Sequence, residues 1–186
     1  MTTQGIAQIP LLTFVLGGAR SGKSRHAQSL ARANPAPWVI IATAEALDEE
    51  MRGRIAEHKR ERGDGWLTVE APTDLAGALT EAPAGAPGVI DCLTLWLSNL
   101  MHAERDWENE GSLLAETLGR QVSPVVLVAN EVGLGIAPMT PLGREFRDWQ
   151  GRLNSEVAAV ADAVVVMTAG LPRLVKPAPF PDLRFV

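Results

Sequence analysis

An eight-residue run, Gly17 to Ser24, has the residue types and spacing needed to bind a nucleotide phosphate. It reads Gly-Gly-Ala-Arg-Ser-Gly-Lys-Ser and directly follows an apolar, strand-like run. Glycines let consecutive backbone N–H groups curl around a phosphate, and Lys23 is placed to reach the β- and γ-phosphates. The Ser24 hydroxyl suits Mg²⁺, and a following helix adds the positive end of its dipole. The run predicts a P-loop, with a glycine-rich strand-to-helix turn as the alternative.

A carboxylate, Asp91, closes the apolar run Gly-Val-Ile-Asp, where a parallel strand is expected to end. P-loop enzymes use a carboxylate at such a place to hold Mg²⁺ directly or through water. An aspartate there can instead be the N-cap of the helix that starts at Leu93. Because ligands bind at the carboxyl edge of parallel sheets, the metal role is favoured, and Ser24 and Asp91 become the candidate Mg²⁺ ligands.

His58 is the candidate nucleophile, although its position also fits a structural role. It follows Leu47, Met51 and Ile55 at helical spacings of three and four, and a histidine on such an apolar stripe is usually a core or boundary residue. The basic residues that follow within positions 59–62 suit anionic phosphates better than a core. A neutral imidazole beside them could attack an α-phosphate and form a phosphoramidate. The alternative is a solvated helix end balanced by acidic neighbours.

A fourth motif, residues 130–135, reads Asn-Glu-Val-Gly-Leu-Gly after a buried strand. Glu131 could act as a base or as a magnesium ligand, and the glycines permit a tight loop. A plain loop is an equally good interpretation of this segment. His26 and His102 fall in predicted helices without convergent partners, so both are interpreted as structural or surface residues.

The elements that must position these residues alternate between apolar strands and helices. This alternation predicts one α/β domain of the P-loop NTPase type, RecA-like, with a mainly parallel central sheet and helices on both faces. Residues 1–10 are interpreted as an N-terminal extension, 104–111 as an exposed polar loop, and 172–186 as an irregular tail. The predicted strands are 11–16, 38–42, 66–69, 89–92, 125–129 and 164–168, and the clearest helices are 24–33, 47–60, 93–102 and 140–161.

Composition excludes several other classes of protein. A length of 186 residues suits a single core, and 46% hydrophobic with 21% charged residues is typical of a globular chain. The net charge of -5 gives no electrostatic footprint for nucleic acid or an anionic membrane. The N-terminus lacks secretory-signal features, and Cys92 is the only cysteine, so we expect a cytoplasmic protein without a disulfide or a membrane span.

These motifs occur in an order that resembles a known family, the bifunctional adenosylcobinamide kinase and adenosylcobinamide-phosphate guanylyltransferase of cobalamin biosynthesis. The resemblance runs from Leu12 to about Gly170, so it covers nearly the whole chain. One departure is that Gly63 follows Arg62 where the family commonly has proline. The matching segments are the P-loop run and residues 41–44, 48–58, 91–100, 130–138, 146–148, 151–154 and 169–170.

The resemblance implies two reactions. The enzyme phosphorylates the aminopropanol hydroxyl of adenosylcobinamide with ATP or GTP, and then transfers GMP from GTP to the new phosphate, releasing pyrophosphate. The GMP-carrying histidine of the family falls on His58, Mg²⁺ is the expected metal, and the expected assembly is a homotrimer. Retention of only one activity and a non-catalytic GTP-sensing switch stay open as alternatives. The family's nucleotide contacts fall on Gly17, Gly18, Ala19, Arg20, Ser21, Gly22, Lys23, Ser24, Ala42, Thr43, Ala44, Lys59, Arg60, Glu61, Arg62, Glu70 and Asp91.

Overall fold

The computed structural model describes residues 11–177. Seven strands and six helices lie along this part of the chain, and they alternate except where α5 follows α4 and where β7 follows β6. The strands are β1 (Leu12–Gly17), β2 (Trp38–Ala42), β3 (Trp66–Glu70), β4 (Gly88–Asp91), β5 (Val125–Asn130), β6 (Ala163–Thr168) and β7 (Leu171–Lys176), and the helices are α1 (Lys23–Ala31), α2 (Glu49–Arg62), α3 (Leu75–Glu81), α4 (Leu93–His102), α5 (Trp107–Gly119) and α6 (Pro141–Val160).

The strands form a single sheet in the order β3-β2-β4-β5-β1-β6-β7. The first six strands are parallel, and β7 pairs antiparallel with β6 at the edge. Parallel pairing brings the carboxyl ends of β1 and β4 to the same edge of the sheet, with β5 between them. The predicted α/β fold with a mainly parallel sheet is therefore confirmed.

Neighbouring residues of the central strands point into two separate apolar layers. In β1, Phe14 packs in a large core beneath α3, α4, α5 and α6, whereas Val15 packs in a smaller core against α1. Both side chains are fully buried. Strands covered on both faces read as continuous apolar runs, so their polar chemistry must lie at strand ends.

The predicted polar loop at 104–111 is wrong beyond its first residues, because α5 begins at Trp107. Asp106 caps that helix by accepting hydrogen bonds from the backbone N–H groups of Glu108 and Asn109. Trp107 is buried and stacks on Trp149 of α6, with ring centroids 5.3 Å apart. The charged residues of this segment therefore lie in the first turn of a capped amphipathic helix, whose apolar side packs on α6.

The expected irregular tail is also wrong in its first part, because residues 171–176 form β7. Its strand contains Pro172, which an edge strand tolerates because only one side of it must supply a full ladder of hydrogen bonds. Residues 178–186 of that tail, and the extension at 1–10, lie outside the described residues. Within the described range, the helices are too short or too polar to cross a bilayer.

Candidate active site

The P-loop connects the end of β1 to the start of α1. Gly17 closes the strand, Gly22 is the N-cap of the helix with φ 92°, and Lys23 is its first residue. The buried Lys23 ammonium donates to the carbonyl of Gly18 at 2.6 Å. Residues 18–20 are exposed, so the concave side of the loop is open to a phosphate. This is the strand-loop-helix arrangement that phosphate binding requires.

Gly17 is required by a close approach of the backbone. The φ of Gly17 is 155°. A Cβ atom at this position would lie 2.6 Å from the Met167 carbonyl oxygen and 2.8 Å from Ser21 Oγ. We expect Gly17→Ala to lower the free energy of unfolding by about 1–3 kcal/mol, as overpacking does. Gly18→Ala is the matched control, because a Cβ there meets nothing within 4 Å. Urea unfolding of both variants tests this, and equal midpoints would contradict it.

Asp91 ends β4 beside the P-loop helix. Its Oδ1 accepts a hydrogen bond from Ser24 Oγ at 3.1 Å, and its side chain is 16% exposed. The N-cap of α4 is Cys92, so the capping alternative for Asp91 does not hold. A hydroxyl and a carboxylate oxygen side by side are hard donors that suit Mg²⁺, which binds through few protein ligands and the substrate phosphates. Among the described residues, no group of three or more His, Cys, Asp or Glu side chains offers another metal site.

Burial raises the pKa of Asp91 above its ordinary value of 3.8, against the opposing effects of the Ser24 hydrogen bond and of the charges of His58, Arg62 and Lys23. At pH values between the ordinary and the raised pKa, the Asp91 carboxyl holds its proton in the folded chain more tightly than in the unfolded chain. This contribution to stability is therefore complete below the ordinary pKa and is lost as pH rises through the raised one.

We expect the wild type's free energy of unfolding, relative to that of Asp91→Asn, to fall as pH rises through the raised pKa. Denaturant titrations of both proteins over a pH series that starts below the ordinary pKa of Asp91, in EDTA without nucleotide, measure this difference. A difference that stays constant or grows with pH would contradict a raised pKa of Asp91.

His58 lies one turn before the end of α2 and faces Asp91. Its Nδ1 is 3.9 Å from Asp91 Oδ2, and its side chain is half exposed. The apolar stripe expected on this helix is wrong, because Leu47 lies before the helix begins and is 79% exposed. His58 is therefore an accessible imidazole at the sheet edge and not a core residue.

The basic cluster at 59–62 divides into two parts. Lys59 and Arg60 are exposed and pair with acidic side chains, Lys59 with Glu70 at 3.3 Å. Arg62 is buried at the helix end, where burial lowers its pKa and the charge of Asp91 raises it. The solvated-end interpretation therefore fits the first part only, because Arg62 is buried.

The remaining expected contacts lie at different distances from the P-loop. Ala42 and Ala44 are half-buried, and Glu61 is exposed on α2. Glu70 ends β3, which is four strands from β1, or about 19 Å at the usual interstrand spacing. The structure thus gathers the P-loop, Asp91, His58 and Arg62, and places the Glu70 end of the sheet further away.

Thr43 holds the sheet edge together. It is fully buried, and its hydroxyl donates to the carbonyl of Cys92 and accepts from the Cys92 N–H, both at 2.8 Å. Asn99 of α4 donates to the Thr43 carbonyl at 2.8 Å. Sequence reasoning missed Asn99, whose only signal was its place in the segment Leu-Ser-Asn-Leu on a predicted helix. These contacts fix the ends of β2 and β4 relative to each other.

Glu131 also lies beside the P-loop, since its N–H donates to the Gly17 carbonyl at 3.1 Å. Its carboxylate accepts a hydrogen bond from the Gly133 N–H at 2.7 Å. Such a contact fits a tight loop, and the roles of base or metal ligand stay predictions. Of the other histidines, His26 is half-buried in α1 and His102 is exposed with Nδ1 2.6 Å from the Ser98 carbonyl.

The sequence is similar to known proteins over most of its length. Residues 13–175 match the family described as cobinamide kinase / cobinamide phosphate guanyltransferase. The chain is 44% identical over 169 residues to the bifunctional adenosylcobalamin biosynthesis protein CobP of Pseudomonas aeruginosa, covering 89% of this chain and 98% of that protein. It is 39% identical over 178 residues to the corresponding CobU of Salmonella typhimurium, covering 87% and 97%.

Among solved structures, the fold is similar to EscN, the type III secretion ATPase of enteropathogenic Escherichia coli, with a TM-score of 0.55 and 14% identity. The alignment covers 87% of this chain and 43% of EscN, so the chain spans less than half of that protein. A Pyrococcus horikoshii protein aligns with a TM-score of 0.50 and 9% identity over 88% of this chain and 84% of its own. At these identities the likeness shows the α/β fold alone.

Proposed function

This chain belongs to the cobinamide kinase / cobinamide phosphate guanyltransferase family, and from that premise we propose that it catalyses both reactions with a single P-loop. The enzyme first transfers a phosphoryl group from a nucleoside triphosphate to the hydroxyl of adenosylcobinamide. It then transfers GMP from GTP to that phosphate, so that adenosylcobinamide-GDP and pyrophosphate are formed. His58 carries GMP between the two substrates of the second reaction.

In the kinase step, the P-loop N–H groups and Lys23 bind the phosphates of the donor. The substrate hydroxyl oxygen attacks the γ-phosphorus, the bond to the leaving nucleoside diphosphate breaks, and the hydroxyl proton is released. There is little covalent work for the protein in such a transfer, so positioning and charge neutralisation carry the catalysis. Lys23 supplies positive charge from a buried position, where electrostatic interactions are stronger than in water.

In the guanylyl step, His58 attacks the α-phosphorus of GTP, forming an N–P bond as pyrophosphate leaves. An oxygen of adenosylcobinamide phosphate then attacks the same phosphorus and breaks the N–P bond. Nδ1 of His58 faces Asp91, which leaves Nε2 as the atom we assign to the attack. The two steps use different phosphates of the nucleotide, so either the nucleotide or α2 has to shift between them.

Mg²⁺ fits the pair of oxygen donors on Ser24 and Asp91. When bound, it neutralises charge on the phosphates during transfer. The protein's own contribution is to hold these two side chains together at the carboxyl edge of the sheet, where β4 ends and α1 begins.

The proposal rests mainly on one observation: the two oxygens of the Asp91 carboxylate face two different groups, the P-loop serine and the candidate nucleophile. Oδ1 accepts from Ser24 of the P-loop, and Oδ2 faces His58. A half-exposed histidine beside the phosphate cradle supports covalent transfer of GMP and is unnecessary for phosphate binding alone. This arrangement favours the bifunctional enzyme over a GTP-sensing switch.

The experiment supplies adenosylcobinamide with γ-labelled or α-labelled GTP. We expect γ-label on cobinamide phosphate, and then α-label on adenosylcobinamide-GDP with an equal amount of pyrophosphate. Label from the γ position only would mean that one activity has been kept, and label from neither position would favour the switch. Replacing GTP with ATP in the first step identifies the phosphate donor.

We further propose a homotrimer that works in the cytoplasm, as the family resemblance implies. A corrinoid is large compared with the nucleotide site, so a neighbouring subunit can complete the acceptor surface. Light scattering of the purified protein across a range of concentrations measures the assembly, and a monomer throughout that range contradicts it.

A further inference from the structure

The last turn of α2 is held by an arginine that the reactions described above do not use. Arg32, the C-cap of α1, donates from Nη2 to the backbone carbonyl of Arg62. Its guanidinium lies 5.5 Å from the ring centroid of Trp66 and 5.9 Å from that of Trp38. The two tryptophans are in contact, with centroids 5.6 Å apart. Arg32 therefore joins the end of one helix to the end of another.

The joined end is the part of α2 that bears His58. His58 and Arg62 are four residues apart, so they lie on the same face of the helix; His58 faces Asp91, and Arg62 is buried. A displacement of the Arg62 carbonyl would move His58 with it, because a helix turn is stiff. The contact to Arg32 thus sets where the imidazole stands relative to the sheet edge.

The same α1 helix carries both ends of this arrangement. It begins at Lys23 in the P-loop and ends next to Arg32, spanning 9 residues, or about 13 Å. The phosphate cradle and the anchor of α2 are therefore fixed on one rigid element. The position of His58 relative to the phosphates is set through α1.

Burial along α2 is concentrated at its C-terminal end. Arg62 is the buried side chain among those described for residues 49–62, and the others are exposed or half-buried. The turn that follows reinforces the anchored end, because Gly65 has φ 88° and a Cβ there would lie 2.9 Å from the Trp38 ring. The helix is thus held at its C-terminal end by the cluster of Arg32, Trp38 and Trp66.

We propose that Arg32 is a positioning residue for guanylylation: lying over the rings of Trp38 and Trp66 and hydrogen-bonded to the Arg62 carbonyl, it holds the His58 turn against the P-loop helix. The proposal rests on the proposed function, because it takes His58 as the carrier of GMP. Arginine is needed because its planar guanidinium stacks on aromatic faces while it donates in a fixed geometry. Lysine keeps the charge and loses that combination.

The test compares Arg32→Lys with Arg120→Lys. Arg120 is the matched control, since it is the exposed C-cap of α5 and pairs only with Glu116 among the contacts of the described residues. We expect Arg32→Lys to slow the appearance of α-label on the protein by about tenfold to a hundredfold, as displacement of a reacting group by about 1 Å does. The kinase rate and the GTP concentration for half-maximal labelling stay close to wild type. An unchanged labelling rate, or a parallel fall of both activities, overturns the proposal.

Hydrogen exchange separates this proposal from the chemistry of His58. We expect Arg32→Lys to raise the exchange of amides in residues 58–65 above that in wild type and Arg120→Lys, with the α4 and β4 amides unchanged. This readout needs no reaction, so faster exchange together with an unlabelled wild type would support the anchor and reject His58 as the carrier. Unchanged exchange in 58–65 overturns the anchor even if the wild type is labelled.

Discussion

The His58→Ala variant is expected to lose covalent labelling by α-labelled GTP and to lose transfer of GMP to adenosylcobinamide phosphate. Removal of a nucleophile leaves only binding and charge stabilisation, so guanylyl transfer should fall by roughly 10³-fold or more. Phosphorylation of adenosylcobinamide should continue near the wild-type rate, because that step needs the P-loop and no histidine. The variant therefore separates two activities that share one nucleotide site.

The measurement is acid-labile label on the protein after incubation with α-labelled GTP, together with the kinase rate from γ-labelled GTP. His102→Ala is the control, since His102 is exposed on α4 and contacts the Ser98 carbonyl of its own helix. Equal labelling of wild type and His58→Ala would assign the covalent step to another residue. Loss of the kinase activity as well would place His58 in a role shared by both reactions.

The Lys23→Met variant should lose both activities together. Methionine keeps the apolar stem in its buried position but removes the charge and the donor that approaches the Gly18 carbonyl at 2.6 Å. Loss of one preorganised charge at a transferring phosphate is expected to cost roughly 10²–10³ in rate. Both reactions neutralise charge at phosphates held in the same loop, so the two losses should be similar.

Rates of γ- and α-label transfer, measured on one preparation, test this prediction. Arg120→Met is the control for loss of a positive charge, because Arg120 lies at the end of α5, away from the P-loop. A variant that kept one activity would mean that the two reactions use different phosphate sites. Together with His58→Ala, this variant distinguishes a shared cradle from a step-specific group.

The most dependable predictions from the sequence were local ones. The predicted P-loop between β1 and α1 is present, because its glycines, lysine and serine have fixed backbone and spacing requirements. The bounds of the six predicted strands agree with the structure within about one residue, because short apolar runs rich in β-branched residues and bounded by turn signals favour strands. Asp91 stands at a strand end, as its place in the run Gly-Val-Ile-Asp indicated.

The two segments that were predicted wrongly depend on contacts between residues that lie far apart in the sequence. The charged segment at 104–111 is mostly helical because Trp107 stacks on Trp149, and no feature within that segment indicates its partner. Residues 171–176 form a strand because β6 offers a free edge for antiparallel pairing. Prolines and charges suggested loops in both places, but tertiary packing outweighed these local preferences.

By itself, the sequence determined the P-loop and the family resemblance, and it gave the candidate residues for the chemistry, whose roles stay predictions. Only the tertiary structure decided which of them meet. Strand order leaves only β5 between β1 and the strand that ends at Asp91, so that Ser24 and His58 face opposite oxygens of one carboxylate. Helix packing also buries Arg62 and places Arg32 over Trp38 and Trp66. Spacing along the chain encodes local geometry, whereas a meeting of residues from different elements depends on how the whole sheet and its helices pack.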